Sequence, residues 1–286
     1  MNANQFLTWL DQARPLVQPL INRALIMAIV NVTPDSFSDG GSFTSVEQTC
    51  DHILTLIELG ADIIDIGGES TKPQAIPTPL ELELTRVMPV IEQIRKYSDV
   101  CISIDTYKPQ VMEQTVQAGA TFINDVYALR CQGALEMASK LAVPVCIMHM
   151  KGNPQNMQIN PQYISGIVPE VKQFFEERIC ACIKAGIPIN RLILDPGFGF
   201  GKSVKDNLQI VNQIQSFKTF GAPILLGVSK KSTIGAVLNK NIDERVVGSI
   251  VLGVYAALEG VNILRTHNVE ETKQALVMLD AVRQAG

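Results

Sequence analysis

The chain has 286 residues, 47% hydrophobic and 18% charged, enough to bury the sizeable core of one α/β barrel. A formal net charge of −4 argues against a nucleic-acid surface and against binding to anionic membranes. No apolar run approaches the roughly 18 residues that span a membrane, and no secretory signal pattern is evident. The six cysteines show neither a CxxC pair nor zinc-like spacing, and most lie in apolar surroundings, which fits core thiols in a reducing compartment. We therefore expect a cytoplasmic protein that binds neither nucleic acid nor membrane.

Residues 1–22 read as a short amphipathic lead-in, and Phe6, Leu7, Trp9 and Leu10 are its predicted packing residues. From residue 23 onward, short apolar runs alternate with segments of helical spacing. The apolar runs cover residues 25–30, 63–66, 100–104, 121–123, 143–148, 192–194, 223–226 and 261–264. Because these runs are too short for helices, they predict eight buried strands.

Eight strands alternating with helices predict parallel pairing, and eight is the number that closes a (β/α)8 or TIM barrel. A doubly wound open sheet is the alternative, but no GxGxxG motif follows the first strand. No linker or low-complexity stretch divides the sequence. We therefore predict an α/β fold with a single TIM-barrel domain over residues 23–286, preceded by the lead-in 1–22.

Polar residues stand at the end of every predicted strand, whereas the strand beginnings are mostly Gly, Ala, Pro and Val. These ends are Asn31, the DIGGESTK stretch at 65–72, Asp105, Asn124 with Asp125, His149, Asp195, the SKK stretch at 229–231, and Arg265 with His267. Barrel enzymes build their active sites at the carboxyl ends of the strands. The asymmetry therefore predicts one polar site on that face.

One group of these residues is suited to a flat heterocycle. Asp105, Asn124 and Asp195 follow the third, fourth and sixth strands, and carboxylates accept hydrogen bonds from the paired N–H groups of an aminopyrimidine edge. Lys231 could donate to a ring carbonyl or nitrogen on the opposite edge. The alternative for either aspartate is a structural carboxylate bonded to neighbouring loop amides.

A second group is suited to an anion. Asn31, Lys230, Arg265 and His267 follow the first, seventh and eighth strands, which are neighbours where a barrel closes. Phosphate sites in these barrels commonly lie in the loops after the last two strands. The alternative is a set of solvated surface charges. This group predicts a phosphate or diphosphate site.

Two loops have the composition of mobile lids. Residues 33–43 and 67–79 are rich in Gly, Ser, Thr and Pro, and they follow the first two strands. Such loops could close over a substrate, although plain connectors are the alternative. A third loop, DPGFGFGK at 195–202, places two aromatic rings and the cation of Lys202 on a backbone with three glycines.

Several motifs together resemble the dihydropteroate synthase family from residue 23 onward. They are NVTPDSFSDGG (31–41), GGEST.P (67–73), SIDT (103–106), IND (123–125), the His-Met pair after the fifth strand, DPGFGFGK (195–202), SxKS (229–232) and LRxH (264–267). The resemblance implies a TIM-barrel alkyl transferase, commonly a homodimer and a sulfonamide target. It implies the condensation of 6-hydroxymethyl-7,8-dihydropterin diphosphate with 4-aminobenzoate, with magnesium present, to give 7,8-dihydropteroate and pyrophosphate.

The resemblance also implies roles for individual residues. The pterin pocket would comprise Asp105, Asn124, Asp195 and Lys231. The diphosphate would contact Asn31, Thr71, Lys72, Arg265, Thr266 and His267, and Asn31 would also bind magnesium. The 4-aminobenzoate would lie among Phe37, Thr71, Pro73, Phe200 and Ser229. Asp39, Asp105 and Lys231 would be the catalytic residues.

Four positions depart from the family pattern: Lys72 and Lys230 stand where arginine is usual, Gln74 where glycine is usual, and Asn268 where aspartate is usual. Lysine keeps the charge of arginine but lacks the planar fork that binds two oxygens. Two alternative functions remain at this point. One is the pterin-binding module of a folate-dependent methyltransferase, and the other is a non-catalytic homologue that has lost its diphosphate site.

Overall fold

The apolar runs become parallel β-strands in the computed structural model, which describes residues 1–12, 23–33 and 45–285. The strands are β1 (Leu25–Asn31), β2 (Ile63–Gly67), β3 (Cys101–Asp105), β4 (Phe122–Asp125), β5 (Val145–Met148), β6 (Leu192–Asp195), β7 (Leu225–Leu226) and β8 (Ile263–Thr266). They form one sheet in the order β6-β5-β4-β3-β2-β1-β8-β7. A parallel bridge between Leu194 and Ile224 joins β6 to the residue before β7. The predicted barrel is confirmed, since this bridge closes the sheet that a doubly wound fold would leave open.

Helices alternate with these strands along the chain. Those that the structure describes are α1 (Ala3–Gln12), α2 (Val46–Glu58), α3 (Leu80–Ile94), α4 (Pro109–Gln117), α5 (Ala134–Leu141), α6 (Ile167–Lys184), α7 (Val204–Asn212), α8 (Ser232–Leu238), α9 (Val246–Leu258) and α10 (Val269–Gln284). Local chemistry fixes several of their beginnings. Ser45 and Ser203 form capping boxes at the starts of α2 and α7, and Pro109 begins α4, where its missing N–H costs nothing.

Alternation along each strand divides the core into two layers. Ile26, Ile64 and Ile102 pack outward in the cluster that includes the helices, whereas their neighbours Ile63 and Cys101 point into the barrel. The inward positions become polar toward the carboxyl end of a strand. In β3, for example, the side chains of Cys101, Ser103 and Asp105 share one face. The inner face of the barrel is therefore apolar at one end and polar at the other.

Helix α1 covers the apolar end. Phe6, Trp9 and Leu10 are buried in the same cluster as the inward residues of the strands, and the Phe6 ring lies 5.6 Å from Trp9 and 5.4 Å from Phe122. The backbone of Cys101 also donates to the carbonyl of Met1. Leu7 is 37% exposed, so its predicted packing role is wrong, because it lies on the outer face of the helix. The division of the chain at residue 22 stays a prediction.

Candidate active site

The polar wall predicted from the third, fourth and sixth strands lies at the carboxyl end of the barrel. Asp105 ends β3 and pairs in register with Asn124 of β4, while Asp195 ends β6 opposite Met148 of β5. All three polar side chains are buried. They reach the same end because parallel strands all terminate on one face, and their position in each strand points them inward.

Asp65, which the sequence analysis listed at a strand end without assigning it a role, connects this wall to the predicted anion group. Asp65 is fully buried in β2, and its Oδ2 accepts from Arg265 Nε at 2.6 Å. Arg265 Nη2 donates to Asp105 Oδ2 at 2.8 Å, and Asn124 Nδ2 lies 3.3 Å from Asp65 Oδ2. Arg265 therefore bridges two carboxylates across the mouth of the barrel. The sequence did contain a signal, since Asp65 lies two residues after Ile63 and shares its inward face.

Burial moves the pKa values of Asp105, Asp195 and Lys231 toward 7. It raises the pKa of Asp105 to about 7, against the opposing charge of Arg265. It raises the pKa of Asp195 to about 6, although the amide of Gly197 donates to this carboxylate at 2.7 Å. Burial and the charge of Arg265 lower the pKa of Lys231 to about 8. These side chains can therefore gain or lose a proton near physiological pH when a ligand binds.

Lys231 and Phe200 form a cation–π pair beside this wall. The Lys231 Nζ lies 4.1 Å from the centroid of the Phe200 ring, which is 9% exposed. Lys231 immediately precedes α8, so the helix start fixes its backbone. The charges of Asp105 and Asp195 both act on Lys231 and raise its pKa against the effect of burial. A flat ring could stack here with its polar edge toward the carboxylates.

The predicted anion group lies on the side of β7, β8 and β1. Desolvation, followed by the charges of Arg265, Lys230, Lys231 and Lys72, lowers the pKa of His267. Asp65 and Asp105 contact Arg265 and offset its charge. Lys72, Lys230 and Lys231 add three further positive charges, so the region as a whole is positive. This positive region is suited to a dianionic or trianionic ligand.

The backbone holds this region in place. Ser229 Oγ lies 3.0 Å from His267 Nδ1 and also accepts from the His267 amide. Lys230 adopts a left-handed φ of 56°, and its amide donates to Ser249 Oγ at 3.0 Å. Thr266 points the other way: its Oγ1 accepts from the Asn268 amide and lies 3.3 Å from Thr272 Oγ1, beneath α10.

Asn31 ends β1 beside Gly67 of β2, where a Cβ on that glycine would lie 3.6 Å from Asn31 Oδ1. The loop after β2, which carries Thr71, Lys72 and Pro73, begins at the same edge. The other residues predicted in a lid, Phe37 and Asp39, lie outside the residues that the structure describes. The strand order therefore places Asn31 between the loop after β2 and the cationic residues that follow β8.

The loop after β2 is fixed at both ends. Arg86 Nη1 of α3 donates to the Gly68 carbonyl at 2.7 Å. Farther along, the Gln74 amide donates to Pro154 O, and Gln155 Nε2 donates to Ala75 O. The loop after β2 is therefore hydrogen-bonded to the loop after β5. Gln74 has a φ of 65°, and this left-handed conformation explains why glycine is usual at the position.

A buried ionic network supports the same loop from below. Lys108 Nζ contacts carboxylate oxygens of both Glu69 and Glu83. Tyr107 OH donates to Glu69 at 2.8 Å, and Thr106 Oγ1 donates to Glu83 at 2.6 Å. Glu69 belongs to the loop after β2, and Thr106 follows Asp105 directly. The network thus links the loop after β2, helix α3 and the wall, and none of its five members was predicted from the sequence as a site residue.

The loop after β6 is held by Lys202, whose side chain is buried. Its Nζ lies within 3.2 Å of three backbone carbonyl oxygens and 2.9 Å from His149 Nδ1. Burial lowers the pKa of Lys202 to about 7. The sequence analysis placed the cation of Lys202 on this glycine-rich loop without assigning it a partner, and these contacts direct its amine into the protein.

Comparison with known proteins agrees with this arrangement. The family described as "Pterin binding enzyme" matches residues 27–267. Dihydropteroate synthase from Escherichia coli (strain K12) is 45% identical over 260 residues, which cover 91% of this chain and 92% of that protein. Among solved structures, Yersinia pestis dihydropteroate synthase with a sulfonamide drug complex has a TM-score of 0.88 at 44% identity, covering 92% of this chain and 96% of that one. The Xanthomonas albilineans enzyme in complex with 7,8-dihydropteroate has a TM-score of 0.84 at 45% identity, covering 92% and 95%.

Proposed function

Because the chain belongs to the pterin-binding enzyme family, we propose that its polar site carries out the dihydropteroate synthase reaction. The protein condenses 6-hydroxymethyl-7,8-dihydropterin diphosphate with 4-aminobenzoate to give 7,8-dihydropteroate and pyrophosphate, and it is therefore an alkyl transferase. One observation supports this assignment most directly. Asp105, Asn124 and Asp195 converge at the carboxyl end of the barrel, and both carboxylates act on Lys231.

The wall would recognise the pterin by its hydrogen-bonding edge. Carboxylates of Asp105 and Asp195 accept from the amino and ring N–H groups, and the Asn124 amide can both donate and accept. Lys231 would donate to the carbonyl or nitrogen on the far side of the ring. Asp65 is buried under Asn124 and would orient its amide by accepting from Nδ2. Each contact replaces water that the pterin loses on entering the buried site.

Arg265 would connect pterin binding to the diphosphate. Its guanidinium contacts Asp65 and Asp105 through Nε and Nη2. A guanidinium has five N–H donors, so others remain for phosphate oxygens. His267, Lys72 and Thr71 would complete the diphosphate site with Asn31. Thr266, which was also predicted there, turns its hydroxyl toward Thr272 of α10 instead. This positive region would stabilise the charge that develops on the leaving pyrophosphate.

Asn31 is suited to a magnesium ion. Magnesium prefers oxygen ligands, and it is commonly bound by one or two protein groups together with waters and substrate phosphates. The Asn31 carboxamide oxygen ends β1 at the mouth of the barrel, near Gly67. In the described residues no three acidic, His or Cys side chains form a metal cluster, so Asn31 would hold the ion together with water and the substrate. When bound, magnesium would neutralise charge on the diphosphate.

The 4-aminobenzoate would bind beside Phe200. Its ring would stack near the Phe200–Lys231 pair, and Ser229, Thr71 and Pro73 would bound it on the side of the two loops. Phe37, which lies outside the described residues, would belong to the same subsite. The amine of the aminobenzoate would then face the pterin methylene carbon.

The reaction would be a substitution at that carbon without a covalent enzyme intermediate. Departure of pyrophosphate leaves a carbocation-like pterin, and the carboxylate of Asp105 favours that positive charge more strongly than it favours the neutral substrate. Lys231 would hold the ring, and Asp39 of the first loop would help to organise the closed site. The aryl amine attacks, and loops that exclude water prevent hydrolysis of the electrophile.

A homodimer is supported by an exposed apolar face on α9 and α10. Val247, Val251, Tyr255 and Leu258 form a stripe along α9, at spacings that place them on one side of a helix. Val251 is 61% exposed, and Met278 of the neighbouring α10 is 64% exposed. Apolar surface of this kind is typical of interfaces between subunits.

The reaction would take place in the cytoplasm. All six cysteines are free, which is consistent with a reducing compartment. Over the part of the chain that the structure describes, no helix combines the length and apolar character needed to cross a membrane.

A single assay tests the proposed function. Purified protein is incubated with the pterin diphosphate, 4-aminobenzoate and magnesium, while dihydropteroate and pyrophosphate are measured together. We expect both products to form in equal amounts. Pterin binding without either product would instead support the non-catalytic homologue, and binding of methyltetrahydrofolate without condensation would support the methyltransferase module.

A further inference from the structure

The loop after β6 contains an amine that is almost completely removed from solvent. Lys202 is 3% exposed, and its Nζ lies 2.8 Å from Gly197 O, 2.9 Å from Phe200 O and 2.9 Å from His149 Nδ1. The His149 carbonyl oxygen is a fourth neighbour at 3.2 Å. An ammonium group has three protons, which match the three nearest acceptors. The contacts therefore favour the charged amine, with His149 accepting at Nδ1 and carrying its own proton at Nε2.

The conformation of this loop explains why it needs such a donor. Gly197, Gly199 and Gly201 all have positive φ values, so the backbone forms no regular ladder of hydrogen bonds. Side chains supply most of the donors to its carbonyl groups. Lys202 donates to the carbonyls of Gly197 and Phe200, and that of Gly197 also accepts from the Phe200 amide. A Cβ at Gly197 would lie 1.9 Å from the carbonyl oxygen of His149. The loop after β6 therefore rests directly on the loop after β5.

The same loop carries two residues of the proposed substrate site. Asp195 stands at its start, and Phe200 precedes Lys202 by two positions, with its ring against the Lys231 amine. Since the Phe200 carbonyl is one of the acceptors of Lys202, the buried amine is coupled to the position of the Phe200 ring.

We propose that Lys202 is a positioning residue: its ammonium group, held by His149, fixes the loop after β6 so that Phe200 and Lys231 form the surface on which the aminobenzoate ring binds. This proposal rests on the function proposed above. Lys202 touches neither substrate, because its protons are directed to His149 and to the backbone. Its effect should therefore fall mainly on the binding of the second substrate.

Steady-state kinetics of Lys202→Met test this role. Methionine is unbranched like lysine and only slightly shorter, but it donates no hydrogen bonds. Loss of hydrogen bonds from a charged group is expected to have an effect of about tenfold. We expect the KM for aminobenzoate to rise about tenfold and kcat to change less than about threefold. Lys205→Met, on the exposed side of α7, is the matched control and should leave both constants unchanged. An unchanged KM in folded Lys202→Met would overturn the proposal.

Hydrogen exchange and nitrogen-15 NMR test the same idea without turnover. Amides of residues 197–201 should exchange faster in Lys202→Met, whereas the amides of β3 and β4 should not change. The chain has only three histidines, so the His149 signal can be assigned. Its ring should carry the proton on Nε2 in the native protein. A proton on Nδ1, or unchanged exchange of the loop, would contradict the proposal even if the enzyme were active.

A pair of His149 variants decides the point if Lys202→Met does not fold. His149→Phe keeps a ring to pack against Phe174, whose centroid lies 4.9 Å away, but it removes the acceptor. His149→Gln retains an acceptor oxygen for Lys202. We expect His149→Phe to raise the KM for aminobenzoate and His149→Gln to remain closer to the native value. Equal constants for the two variants would refute a role for the hydrogen bond. The native chain and all variants could be inactive while residues 197–201 still exchange faster in Lys202→Met. That result would count against the proposed function and not against the positioning role of Lys202.

Discussion

The ionisation state of each residue in the site depends on burial as much as on neighbouring charges. Asp105 illustrates this balance, because desolvation raises its pKa while Arg265, at 2.8 Å, opposes the rise. When Asp105 has lost its proton, both of its oxygens can accept hydrogen bonds from the pterin, whereas the protonated form presents a donor on one of them. Proton loss at Asp105 is therefore a step in ligand binding.

Pterin affinity should depend on pH for this reason. With a pKa of about 7, Asp105 is mostly deprotonated at pH 8 and mostly protonated at pH 6, so the dissociation constant should be about tenfold higher at the lower pH. Calorimetry with a pterin that does not titrate in this range would measure the dissociation constant at both pH values. Asp105→Asn should bind weakly at both pH values and lose most of the dependence. A flat profile in the native protein would show that Asp105 stays charged throughout.

Lys72 is the second residue whose chemistry can be tested alone. It lies in the loop after β2, among the cations that act on His267, and arginine is usual at this position. A planar fork can contact two phosphate oxygens where an ammonium group acts as a point charge. Lys72→Arg should therefore lower the KM for the diphosphate substrate about fivefold, equivalent to about 1 kcal/mol, and leave that for aminobenzoate nearly unchanged. Equal changes in both constants would point to a general effect on the loop.

At the scale of elements, the loop after β2 is held by a strained residue and by a buried ionic network. Gln74 has a φ of 65° while its amide donates to Pro154 O. A side chain in this conformation costs about 1 kcal/mol, and glycine avoids that cost but gains freedom in the unfolded chain. Gln74→Gly should therefore stabilise the protein by no more than about 1 kcal/mol in chemical denaturation. Gln74→Ala is the control that retains the strain, and it should not be stabilising.

The network around Lys108 should matter much more for stability. Replacing Lys108 with methionine would leave Glu69 and Glu83 facing each other in a buried site, and breaking a buried pair in this way costs about 3–5 kcal/mol. Denaturation of Lys108→Met should show a loss of this size. Lys140→Met removes an exposed ion pair with Glu113 and should cost less than about 1 kcal/mol. A small loss in the first variant would mean that one carboxylate becomes protonated and the network adapts.

The whole molecule is a barrel whose two ends differ, with an exposed apolar face on one side. Helix α1 seals the apolar end, and the substrates would enter at the polar end. The stripe on α9 lies on the outside of the barrel wall, so a partner could cover it without blocking the site. A second copy of the chain is the proposed partner.

Val251→Glu tests the oligomeric state. A charge in the middle of a buried apolar interface is strongly unfavourable, whereas on an exposed helix face it is tolerated. The variant should fold, and analytical ultracentrifugation should show a monomer where the native chain is a dimer. Ile183→Glu changes another exposed apolar residue, on α6, and should remain dimeric. A monomeric native chain at micromolar concentration would remove the basis for the dimer.

The sequence by itself determined the architecture and the polar wall. Apolar runs and helical spacing are local patterns, so they predicted eight strands, the barrel and the end at which Asp105, Asn124 and Asp195 meet. Strand limits were less accurate: the run at 223–226 shortens to Leu225–Leu226, because Pro223 has no N–H for a ladder and the Ile224 N–H donates to the Asn262 side chain. The family motifs were also local, and the curated relatives confirm the function that they implied.

Only the tertiary structure decided which side chains pair with one another. Arg265 meets Asp65 and Asp105 across 200 and 160 residues of chain, and no periodic pattern encodes a contact at such separations. The sequence placed Lys202 on a glycine-rich loop but did not show what surrounds its amine. Its burial depends on how the loops after β5 and β6 pack together. The strand positions were thus set by local hydrophobic pattern, whereas the ionic partners were set by the closure of the barrel.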